Sequence, residues 1–100
     1  MAYFLVTAKD AEDSGAFDRR MAARAEHLAA LERLKAEGKM RYALATVDEA
    51  GKLNGSVVVL SCADRAEAET LVQADPYVAA SVWGAITIQP GRIAPPFDAP

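Results

Sequence analysis

Apolar residues along this chain fall into four short runs and two longer stretches of helical spacing, in the order run, stretch, run, run, stretch, run. The first run, residues 2–8, is rich in β-branched and aromatic types and has apolar side chains at consecutive positions, as in a strand covered on both faces. Residues 9–15 are polar and include Asp13-Ser14-Gly15, a loop signature. Residues 17–37 contain no Gly or Pro and many strong helix formers, which predicts one long helix. Within it Met21, Arg24, His27, Leu28, Leu31, Leu34 and Lys35 recur at i, i+3, i+4 and i+7, so they share a stripe, with Leu28, Leu31 and Leu34 as expected core contacts. Gly38 supplies the left-handed stop.

Residues 39–47 predict a second strand. Residues 48–55 carry Gly51 and the pair Asn54-Gly55, the chemistry of a reversing turn, so a hairpin to a third strand at 56–62 is expected. The continuous run Val57-Val58-Val59-Leu60 is that of a central strand. Asp64-Arg65-Ala66-Glu67 has capping-box spacing, with Asp in place of Ser or Thr, and opens a helix to about residue 74 with Ala68, Leu71 and Val72 inward. Asp75-Pro76 ends it, because the residue before proline is pushed out of helical geometry. One more helical turn is expected over 77–81, with Asp75 as its cap and Pro76 in its first position. Residues 82–89 predict the last strand, broken by Pro90-Gly91, and residues 93–100, with three prolines, an extended tail.

The order βαββαβ is the split βαβ arrangement. It predicts an α+β, ferredoxin-like domain over residues 1–92, a four-stranded antiparallel sheet with two helices on one face. The opposite sheet face has no layer of its own, so docking of a second copy by two-fold symmetry is expected, giving a homodimer. Composition sharpens this. Residues are 52% hydrophobic and only 25% charged, ample for one packed interior, but much of the apolar count is alanine, which buries little area and favours burial against a second chain.

The net charge of −3 gives no long-range attraction for phosphate backbones or anionic lipid, so neither nucleic acid nor membrane is an expected partner. The valine-rich third strand also lacks the stacking aromatics that RNA recognition would place there. One cysteine, Cys62, and one histidine, His27, support neither an internal disulfide nor a structural zinc site, and Cys62 reads as a small core residue. No Gly-rich phosphate loop or Ser nucleophile motif is present, and no cofactor is expected. The apolar run at 3–6 is far too short for a membrane span and is followed by Lys9-Asp10; a reducing, cytoplasmic setting is expected.

His27 is the one side chain whose ordinary pKa lies near neutrality, which makes it the economical starting point for acid–base chemistry. The bland alternative is a partly buried imidazole packed beside Leu31 and Leu34. A carboxylate at Asp75, where the chain changes direction, is placed to fix an imidazole tautomer, or simply to cap the turn that starts at Pro76. Spacing leaves both alternatives open. For Trp83 and Tyr3 the expectation is packing between sheets rather than ligand stacking.

Arg24-Ala25-Glu26-His27-Leu28 on the first helix, Gly55-Ser56-Val57-Val58-Val59 on the third strand, and Ala74-Asp75-Pro76-Tyr77 before the fourth, taken in that order, resemble the YCII-related (YciI-like) domain family over roughly residues 2–90. The resemblance implies a dimer of the dimeric α+β barrel type with a histidine and aspartate centre, here His27 and Asp75, in a pocket near the subunit interface. It makes Arg24 and Tyr77 candidate pocket residues. Ser56, at the start of the third strand, is a candidate hydrogen-bond donor into the same pocket, with a turn role as its alternative. At least one degradative relative removes chloride from a chlorinated hydroxyquinol, although nothing in this chain selects that substrate. Two functions follow as expectations. One is a cofactor-independent lyase, dehydrochlorinase or isomerase in which His27, oriented by Asp75, moves a proton on a small, aromatic-sized molecule. The other is a non-catalytic small-molecule-binding or interaction module that uses the same pocket or the apolar tail with Pro95-Pro96-Phe97.

Overall fold

In the computed structural model, which describes residues 1–98, the chain forms β1 (Ala2–Asp10), α1 (Ala16–Ala36), β2 (Met40–Val47), β3 (Leu53–Cys62), α2 (Arg65–Gln73), α3 (Pro76–Ala79) and β4 (Trp83–Gly91), followed by a 3-10 turn at Pro95–Phe97. The four strands make one sheet in the order β2-β3-β1-β4, with every neighbouring pair antiparallel. This is the ferredoxin-like α+β arrangement that the element order predicts. β1 and β3 occupy the centre, as the unbroken apolar run of β3 predicts for that strand.

Register decides which residues face the helices. Phe4 pairs with Leu60, Val6 with Val58 and Ala8 with Ser56, and these side chains turn toward the helical layer. There they meet Met40, Ala68, Val72, Tyr77 and Val82 in the core. The alternate positions, Leu5, Thr7, Val57, Val59, Tyr42 and Leu44, form the other face of the sheet. No helix covers it, and Leu5, Tyr42 and Leu44 stay exposed.

Helix ends hold their elements in place. The Asp64 carboxylate accepts the Glu67 N–H at 2.9 Å as the cap of α2, and Glu67 reaches one residue beyond the cap to accept the Ala63 N–H at 2.8 Å. α1 ends in a Schellman turn: Gly38, at φ 75°, donates to the Lys35 carbonyl and Lys39 to the Leu34 carbonyl. α3 ends the same way, with Val82 donating to Tyr77 and Ser81 to Val78, but the left-handed position is filled by Ser81 at φ 58°.

Four expectations need correction. Leu28 is not a core contact; it is 41% exposed, and the buried line of α1 runs through Ala16, Arg20, His27 and Ala30. Alanines carry little hydropathic weight, and an inward arginine and histidine hide a stripe from any apolar count. Asn54-Gly55 is not the hairpin turn. The turn is tied by the Asp48–Lys52 and Gly51–Asp48 backbone bonds, and β3 already begins at Leu53. Gly55 is required inside the strand instead, since a Cβ there would lie 2.8 Å from the Ala8 carbonyl oxygen. Pro90 does not break β4, because β4 is an edge strand and tolerates a residue without an N–H. The tail is not extended throughout, as Pro95–Phe97 turns and Arg41 donates to the Phe97 carbonyl at 3.3 Å. Ala99 and Pro100 lie outside the described residues.

Candidate active site

His27 sits in the middle of α1 and Asp75 at the cap of α3, 48 positions apart, and the fold brings them together. Nδ1 of His27 lies 2.8 Å from Oδ1 of Asp75 and 3.0 Å from Oδ2. Both residues are buried, at 6% and 7% exposure. An ionised carboxylate only accepts, so Nδ1 carries the hydrogen and donates it, and the neutral ring keeps its lone pair on Nε2. Asp75 holds its place because Oδ1 also accepts the Tyr77 N–H at 2.8 Å as the α3 cap. The two alternatives for Asp75, cap and imidazole partner, are therefore one arrangement.

The buried imidazole is held between two aromatic neighbours. Tyr77 stacks on it with ring centroids 3.8 Å apart and an 11° tilt, and Trp83 meets both rings edge-on at 5.8 Å. Trp83 thus lies on the helix side of the sheet and not between sheets, a correction to its expected role. A shift of register at Asp10, where β4 starts beside β1, turns its side chain inward. Tyr3 stays on the outer face, with the Arg41 guanidinium 5.5 Å from its ring centroid.

Sequence reasoning passed over Arg20. It is only 2% exposed, and it donates to the Gly55 carbonyl at 2.7 Å and to Ser56 Oγ at 3.0 Å. Its guanidinium lies over the Tyr77 ring, 4.8 Å from the centroid, and 3.5 Å from Oδ1 of Asp10. Burial pushes the Asp10 carboxyl above its ordinary value while the Arg20 charge pulls it down. The available signal was the spacing of Arg20 seven residues before His27, two turns back on the same face. Arg24, the arginine that the sequence singled out, is exposed at the rim and makes no hydrogen bond or ion pair among the described residues.

These groups meet at a cleft of about 190 Å³ between α1 and β2, walled by Arg20, Arg24, His27, Ser56 and Tyr77 together with apolar side chains that include Leu31 and Val58. All five candidate residues except Asp75 line it, and Asp75 stands behind His27. Burial raises the Tyr77 phenol above its ordinary value, against the pull of Arg20 and Arg24, so it keeps its proton at neutral pH. A larger hollow of about 650 Å³ beside the β1–α1 loop is lined by Asp10 but by none of Arg20, Arg24, His27, Ser56 and Tyr77. Among the described residues no group of three or more His, Cys, Asp or Glu side chains is arranged to hold a metal ion.

The YCII-related domain model matches residues 1–91. The chain belongs to the YCII-related domain family. The protein YciI of Escherichia coli is 32% identical over 93 residues, covering 87% of this chain and 93% of that protein. Among solved structures, the 5-chloro-2-hydroxyhydroquinone dehydrochlorinase of Burkholderia phenoliruptrix, in complex with 2,5-dihydroxybenzoquinone, is similar with a TM-score of 0.79 and 26% identity, covering 92% of this chain and 95% of that one. A dimeric ferredoxin-like protein of unknown function from Jannaschia shares the fold at a TM-score of 0.51 and 16% identity, covering 93% of this chain and 100% of that one. No helix among the described residues is long and apolar enough to cross a membrane.

Proposed function

We propose that this YCII-related chain is a cofactor-independent acid–base enzyme in which His27 is the proton-transferring group and Asp75 the group that orients it. The observation that carries the reading is the buried 2.8 Å contact between Nδ1 and the Asp75 carboxylate, which leaves Nε2 as a base at the wall of the cleft. A cavity of about 150 Å³ accepts a benzene ring. At about 190 Å³ the cleft fits one six-membered ring with a few substituents. Arg24, Ser56 and Tyr77 are the side chains that contact such a ligand. In an elimination, Nε2 takes a proton from the substrate, the freed electron pair forms the new double bond, and the leaving group departs with its own pair. In an isomerisation the same proton returns at another atom. The similarity to a dehydrochlorinase favours elimination of chloride from a small hydroxylated ring.

The test is chloride release from 5-chloro-2-hydroxyhydroquinone and deuterium uptake from solvent into enolisable hydroxyquinols, in the parent chain and in His27→Gln. Loss of at least about 100-fold with the circular dichroism spectrum retained is expected. Unchanged turnover in His27→Gln refutes the assignment.

Self-association is part of the proposal. Leu5, Tyr42 and Leu44 project from the uncovered sheet face, and a second sheet docked there buries them by two-fold symmetry. The second reading, binding without chemistry, has one observation in its favour: Phe97 is 76% exposed although Arg41 holds the backbone around it. Deletion of residues 92–100 separates the two, since it abolishes partner binding only if the tail is the interacting element.

A further inference from the structure

Ser56 Oγ sits between two groups that can only donate. Arg20 Nη2 lies 3.0 Å from it and Arg20 Nη1 3.4 Å, and Trp83 Nε1 approaches at 3.1 Å. Neither a guanidinium nor an indole N–H has a lone pair to offer, so the oxygen accepts from both. A hydroxyl has two lone pairs and one hydrogen, and both lone pairs are thereby engaged. Its O–H must be given elsewhere, yet no acceptor for it is found among the described residues, and Ser56 lines the cleft. The hydroxyl cannot turn to become an acceptor without leaving a buried guanidinium or indole N–H unpaired. Arg20 in turn is fixed by the Gly55 carbonyl at 2.7 Å and by its stack on Tyr77.

Resting on the acid–base reading above and deepening it, the geometry points to Ser56 as an obligate donor that selects ligands with an acceptor oxygen, and to stabilisation of the negative charge which that oxygen gains when His27 removes a proton from the neighbouring carbon. The substrate class is a small enolisable carbonyl compound or its phenolate. The electrons balance: the C–H bond breaks, its proton goes to Nε2, its pair becomes the carbon–carbon double bond, and the carbonyl π pair moves to the oxygen that Ser56 holds. Arg20 and Trp83 are positioning residues for that donor. Two donors on one hydroxyl polarise its O–H, and a donor that needs no reorientation as charge develops stabilises the transition state more than the ground state. A ligand with N–H at the same place meets O–H with N–H and loses a hydrogen bond.

The experiment uses the full chain with 4-nitrophenolate and its size match 4-nitroaniline, followed by their absorbance shifts. The parent is expected to prefer the phenolate. Ser56→Ala is expected to weaken phenolate binding roughly 10- to 100-fold, the value of one hydrogen bond to a charged acceptor, while nitroaniline binding is unchanged or improves. Ser56→Thr, which keeps the hydroxyl, restores the preference. Equal losses for both probes in Ser56→Ala, or no phenolate binding by the parent, overturn the inference. Should Ser56→Ala fail to fold, Arg24→Gln decides: a preference that persists supports the hydroxyl, and one that vanishes assigns the selection to the rim cation and overturns it. Deuterium uptake by His27→Gln, measured in parallel, reports on the acid–base reading separately, since the probes test Ser56 without proton transfer to carbon.

Discussion

Replacement of Asp75 separates its two structural duties. Its Oδ1 accepts both the His27 Nδ1–H and the Tyr77 N–H at 2.8 Å, and Oδ2 lies 3.0 Å from Nδ1. Asp75→Ala removes a helix cap, about 1 kcal/mol. It also strands a buried imidazole N–H that had a charged acceptor, roughly another 1.5–3 kcal/mol. The expected loss of about 2.5–4 kcal/mol lowers Tm by roughly 10–32 °C in a chain of this length. Asp75→Asn is the more informative change. If Oδ1 keeps the Tyr77 N–H, the amide NH₂ replaces Oδ2 beside Nδ1, setting two donors against each other. The ring escapes by moving its hydrogen to Nε2, which converts the base nitrogen into a donor. Stability then falls by only about 1–2 kcal/mol, while the lone pair that the mechanism needs is gone. Urea unfolding followed by Trp83 fluorescence gives the first quantity, and long-range ¹H–¹⁵N spectra of the imidazole give the tautomer. An Asp75→Asn ring still protonated on Nδ1, or an Asp75→Ala chain within about 0.5 kcal/mol of the parent, would refute the reasoning.

Ser81 holds a left-handed conformation at φ 58° in the Schellman turn that ends α3. An L residue there costs about 1–2 kcal/mol, and glycine's greater freedom when unfolded returns part of it, so Ser81→Gly is expected to stabilise by about 0.5–1 kcal/mol in urea titrations. The hydrogen bonds from Arg19 hold the Asp13 carboxyl at about 2, against an ordinary 3.8. A depressed carboxyl contributes stability above its unfolded value and loses it as pH falls through the folded one, so the parent loses this contribution between about pH 4 and pH 2. Asp13→Asn removes that part of the acid limb, and an unchanged limb by circular dichroism contradicts the ion pair. Leu44→Glu on the uncovered face is expected to give a monomer by sedimentation velocity with the tautomer of His27 unchanged; a species of the same mass as the parent counts against docking through this face.

The order of elements, the central place of β3, and the stops at Gly38 and Asp75-Pro76 were legible in the sequence because each rests on local chemistry: run length, glycine's left-handed freedom, proline's steric bar. The family motifs also marked His27 and Asp75. Their contact was decided by packing, since two residues 48 apart meet only when α1 and α3 are laid on the same sheet. The same is true of Arg20, Ser56 and Trp83, which belong to three different elements and were joined by register and by a strand shift at Asp10. Periodicity weighs apolar side chains, so it placed Leu28 inward and gave no weight to a buried arginine. A charge is buried where the surrounding carbonyls, hydroxyls and rings satisfy it, and those neighbours exist only once the chain has folded.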